Sequence, residues 1–168
     1  MKILGIDPGY DRLGIAVIEK PIKGKEIVLY SDCFTTSPKE TIYERLQKVG
    51  SEITRVIEQH KPEALAIETL FITKNQKTAM RVSEARGIIM YEALRAGVPI
   101  FEYGPMEIKT AITSDGTSDK ERMMKMIPML VSLPSQDSKK KMLDDEYDAI
   151  AVALTCSALF HSKNRLQK

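Results

Sequence analysis

The run ALAIE at residues 64–68 does most to limit what this chain can fold into. It is too short for a helix and almost wholly apolar, so it predicts a central β-strand covered on both faces. What precedes it changes period. KILGI and GIAVIEK flank the turn-rich stretch 7–13 and predict a β-hairpin over residues 2–20, and a third strand is expected at 26–35. From Lys39 onward Ile42, Leu46, Val49, Ile53, Val56 and Ile57 recur at three- and four-residue steps, which predicts an amphipathic helix ending near Lys61 and Pro62. After ALAIE a long helix is expected over 77–95, stopped by Gly97 and Pro99, then a fifth strand, PIFEY, and helices at 118–131 and 144–160. Pro128 should kink the first of these two. Three meandering strands followed by two helix-connected strands define an α/β fold, a mixed five-stranded sheet flanked by helices.

The length of 168 residues suits one domain spanning 1–168, with 161–168 as a flexible basic tail. A net charge of +2 excludes a uniformly basic nucleic-acid binder, so any DNA site must be a local patch. Cys33 and Cys156 lack CxxC spacing and read as reduced core thiols. With no leader-like start and no membrane-length apolar run, a soluble, cytoplasmic protein without a membrane partner is expected.

Acids stand where chemistry is usually done. In GIDPG, Asp7 ends an apolar strand and is displayed at its carboxyl edge, where ligands of open α/β sheets bind. Read alone, an Asp before Pro-Gly could equally initiate a turn. Glu68 closes ALAIE, and an acid at the end of a central strand wants a cation. In DDEYDAIAVAL, capping explains one or two acids, with Asp144 as the expected N-cap. Asp145 and Asp148, at i and i+3, share one helix face. Together with Asp7 and Glu68 they could form a cluster of four carboxylates, whose mutual repulsion calls for a divalent cation. All-oxygen donors select magnesium or manganese over zinc, and two such ions would serve phosphodiester hydrolysis.

GIDPGYDRLGIAVI, AIETLFITKNQKTAMRVSEARGI, FEYGPMEIK and DEYDAIAVAL, in this order, resemble the RuvC family of Holliday junction resolvases over nearly the whole chain. The resemblance implies an RNase H-like fold and a homodimer that cuts four-way DNA junctions by paired symmetric nicks with Mg2+, for which Mn2+ could substitute. It implies Asp7, Glu68, Asp145 and Asp148 as catalytic and metal-binding residues, and Lys109, Lys120 and Phe71 as DNA contacts. The RuvA and RuvB branch-migration proteins are implied as partners. Where the family has Gly-x-Gly before its second lysine, this chain has Ser114, Asp115 and Gly116, and some members carry His at the position of Asp145.

Other residues are open to two readings. Phe71 could be a core aromatic, Arg86 in the 77–95 helix, the expected dimer interface, could be structural, and Lys139, Lys140 and Lys141 could be a solvated run or reach the DNA backbone. The methionines at 123, 124, 126 and 129 suit a pliable core edge or a partner surface. The competing functions are an RNase H-like nuclease acting on RNA:DNA hybrid, a catalytically silent junction binder, and an ATPase of the heat-shock and actin kind. The last needs a second domain for which the chain is too short.

Overall fold

The computed structural model describes residues 1–70, 76–133 and 142–163. The elements are β1 (Lys2–Asp7), β2 (Arg12–Glu19), β3 (Glu26–Thr35), α1 (Ile42–His60), β4 (Ala64–Glu68), α2 (Gln76–Arg95), β5 (Ile100–Tyr103), α3 (Pro105–Thr113), α4 (Lys120–Leu130), β6 (Val131–Ser132) and α5 (Asp144–Lys163). They form a mixed sheet in the order β5-β4-β1-β2-β3-β6. The hairpin and meander pair antiparallel, while β1 with β4, β4 with β5 and β3 with β6 pair parallel.

Strand alternation sorts the core into two layers. Leu4, Ile6, Leu13, Ile15, Val17, Leu65 and Ile67 face α1 and α2, meeting Val49, Ile53, Val56 and Ile89. Ile3, Ala16, Ile18, Ala64 and Ala66 face the other way, onto α5 and its neighbours α3 and α4. Among the described residues no helix is long and apolar enough to cross a membrane. Cys33 and Cys156 are both buried and unbridged.

Four expectations need correction. The sheet has six strands, because β6 adds a two-residue parallel edge beside the start of β3, too short to carry any alternation. Helix α3 was not expected. Its start is nevertheless written locally, with Pro105 in the first turn and the Glu107 carboxylate accepting from the Gly104 amide at 2.8 Å. Asp119 caps α4, accepting from the Arg122 amide, so that helix starts at Lys120 and ends two residues after Pro128. Asp144 is inside the first turn of α5 instead of capping it. Glu146 reaches back to accept from the Leu143 amide at 3.0 Å.

Helix α5 continues through Lys163, so the first residues of the segment expected as a tail are helical. The rest of that segment, Phe71, and Lys139, Lys140 and Lys141 lie outside the described residues.

Candidate active site

Two neighbouring parallel strands end in acids. The register sets Ile6 beside Ile67, so Asp7 and Glu68 follow side by side, and the pleat turns both toward the α5 face. The row continues across the sheet, with Gly14 opposite Asp7, Cys33 opposite Gly14, and Tyr103 opposite Glu68. Helix α5 begins above this row. A Cβ at Gly14 would stand 2.2 Å from the backbone oxygen of Asp145 and 3.0 Å from Cβ of Asp7, so only glycine lets the helix close down here.

The first turn of α5 divides its acids by role. Glu146 is buried and accepts from Ser31 Oγ at 2.7 Å, pinning the helix start to β3. Asp148 Oδ2 accepts from Lys120 Nζ at 2.9 Å, and Asp144 is 3.5 Å from the same ammonium. Asp145 Oδ2 is ion-paired with Arg12, and Cys33 Sγ lies 3.5 Å from the same oxygen. Glu68 lies on two adjoining clefts. One, of about 230 Å³, is lined by Lys109, Lys120, Met123 and Asp148. The other, of about 250 Å³, is lined by Asp7, Pro8, Thr69 and Val82.

The electrostatics follow from this crowding. Burial, then the charges of Asp148, Glu68 and Asp145, push the Asp7 carboxyl up to about 7, with Lys120 acting in the opposite sense. Burial and Asp148 raise Glu68 as well. Burial works against the Lys120 ammonium, but its hydrogen bond and charge interaction with Asp148 prevail and raise it.

The oxygen-only donors and the upward-shifted Asp7 fit a hard divalent cation. Among the described residues no three His, Cys, Asp or Glu side chains already converge as a ready-made cage. Asp145 and Asp148 each face a cation of the chain itself.

The expected residues Asp7, Glu68 and Asp148 thus gather with Lys109 and Lys120, while Asp145 stands beside them and is held by Arg12. Arg12 and Cys33 were not anticipated, since nothing local marks residues that meet their partner across 133 and 112 positions. Arg86 has a structural task behind the site. Its Nε donates to the Glu68 carbonyl at 3.3 Å, and its guanidinium pairs with Glu102. Of the methionines, Met123 is buried beside the cleft, Met126 packs on the core and Met129 is exposed.

A mixed sheet with acids ending its central parallel strands and a third acidic group on the helix crossing them is the plan of an RNase H-like nuclease. The sequence model of the family described as crossover junction endodeoxyribonuclease RuvC matches residues 3–156, and the chain belongs to that family. The crossover junction endodeoxyribonuclease RuvC of Thermosipho melanesiensis is 44% identical over 154 residues, covering 91% of this chain and 94% of that protein. The fold superposes on Thermus thermophilus RuvC with a TM-score of 0.86 at 32% identity, covering 97% of each chain. It superposes on T. thermophilus RuvC in complex with Holliday junction substrate with a TM-score of 0.83 at 30% identity, covering 96% of each.

Proposed function

We propose that this chain resolves four-way DNA junctions by paired, symmetric hydrolysis of two phosphodiester bonds, as a cytoplasmic homodimer acting in recombination and repair. The observation that carries the reading is the register that sets Asp7 beside Glu68 under the acidic start of α5. Asp7, Glu68, Asp145 and Asp148 would hold two Mg2+ ions, or Mn2+ in their place. When bound, these ions supply the electrophilic charge that in-line phosphodiester hydrolysis requires.

The chain's own residues do the rest. Arg86 and the sheet fix the main chain of Glu68. Lys109 and Lys120 line the cleft where a scissile phosphate would enter, and their charges would hold it against the carboxylates. Phe71 is assigned to the junction by family resemblance. The RuvA and RuvB proteins are the motor partners proposed on the same ground.

The interface proposed for the dimer is α2. Ala85, Ile89 and Ala93 bury one face of this helix, while Met80, Tyr91 and Leu94 are exposed and Gly87 has open space above its Cα. A junction of near two-fold symmetry asks for two equivalent sites.

The test is cleavage of a mobile and of a fixed-sequence four-way junction in Mg2+, with both nicks mapped. Symmetric paired nicks are expected. Preferential cutting of RNA:DNA hybrid, or junction binding without any nick, would replace this reading with one of its rivals.

A further inference from the structure

We propose that Arg12 is a built-in counter-cation of Asp145, competing with the divalent ion for that carboxylate while the protein is free of DNA. The inference rests on the reading of Asp145 as a metal ligand given above.

Arg12 opens β2, on the far side of the Asp7 turn, and reaches over to the first turn of α5. Both of the contacts that Asp145 makes there, from Arg12 and from Cys33, fall on Oδ2. That oxygen is therefore committed within the chain.

The main chain around Asp145 is fixed. Its carbonyl sits over Gly14, and the next residue, Glu146, is tied to Ser31 Oγ and to the Leu143 amide. Asp145 can turn its carboxylate toward Asp7 only by rotating its side chain. Exposure decides which partner leaves, because the Asp145 side chain is 19% exposed and that of Arg12 is 51% exposed. A half-exposed guanidinium gives up its pair to water at little cost, whereas a largely enclosed carboxylate is costly to leave charged without a partner.

Lys120 stands in the same relation to Asp148, and among the described residues the carboxylates do not converge as a cage. A divalent ion must therefore displace a charge already present at Asp145.

Mn2+ titration of the DNA-free protein at fixed pH and ionic strength, with free Mn2+ read by electron paramagnetic resonance, tests this directly. Arg12→Gln is expected to bind Mn2+ about fivefold more tightly than the wild type. The gain should vanish when Asp145→Asn is already present. Arg12→Lys keeps the charge and should keep the wild-type affinity, and circular dichroism checks that each variant is folded.

Unchanged or weaker Mn2+ binding by folded Arg12→Gln overturns the proposal, as does an equal gain in the Asp145→Asn background or in Arg12→Lys. Junction cleavage by the wild type is scored separately. Its absence would overturn the proposed function and leave the competition for Asp145 standing, while intact cleavage with no Mn2+ effect would overturn the competition alone.

Discussion

At Asp7, position and charge are in conflict, and the conflict can be measured. Its carboxyl is raised to about 7 by burial and three nearby carboxylates, from an ordinary value of 3.8. The folded state therefore holds a proton that the unfolded chain releases, so stability falls as pH rises from about 4 and the full penalty is present only above about 7. A shift of this size corresponds to at most about 4 kcal/mol. In EDTA, Asp7→Asn should match the wild type below about pH 4 and melt higher at pH 8, the gap opening across that window. Thermal denaturation across pH checks it, and a gap that narrows with rising pH would contradict the sign. The same variant should lose nicking in Mg2+ yet keep junction binding, since an amide cannot offset a cation's charge. Nicking and mobility-shift assays read the two separately. Lys120→Gln removes the ammonium held 2.9 Å from Asp148, and binding to junctions of different sequence should weaken about uniformly, with the salt slope falling by about 1.

The elements that carry the site meet through missing side chains. A Cβ at Gly5 would reach to 2.2 Å from the Ala149 backbone oxygen, just as one at Gly14 would meet Asp145. These clashes are with backbone, which cannot rotate away. Gly14→Ala should therefore lift the start of α5, lower stability by about 1–3 kcal/mol, and cut nicking more than junction binding. Denaturant unfolding alongside the nicking assay checks this, and an alanine tolerated without loss in either would mean that α5 is not seated as described. The elements written plainly in the sequence are those with a repeated period or an unbroken apolar run between turn signals, namely the hairpin, β3, α1, ALAIE, α2, β5, α4 and α5. The dipeptide of β6 has no period to read, and α3 follows so soon after β5 that its Pro105 passes for a continuing turn. Much the same holds for the site. Asp7 and Glu68 are legible because a strand visibly ends at each, and Asp145 and Asp148 because helical spacing pairs them. Arg12 is not, and Lys120 is reached only through the family resemblance, as a DNA contact and not as a partner of Asp148, because both ion pairs exist only once β2 and α4 have been folded against α5.

Across the whole molecule the candidate active site lies at the carboxyl ends of β1 and β4, while α2 sends an uncovered apolar side into solvent, with Tyr91 62% and Leu94 63% exposed. Neither side chain is needed for the monomer's core, since Ala85, Ile89 and Ala93 already seat α2 against the sheet and α1. Scattered exposed apolar residues are ordinary, but Met80, Tyr91 and Leu94 share one helix face around Gly87, a position with open space, and form a surface that a second copy can approach closely. A charge placed there tests the dimer without touching the carboxylates. Leu94→Glu should leave the far-UV circular dichroism unchanged and shift sedimentation from dimer to monomer at micromolar concentration. Two cuts made by one dimer are coupled, so the variant should also release nicked intermediates from a cruciform plasmid where the wild type releases linear product. If the variant remains dimeric and its two nicks remain paired, the two-fold interface lies elsewhere than on α2, and the spacing of the two active sites must be derived from a different face of the molecule.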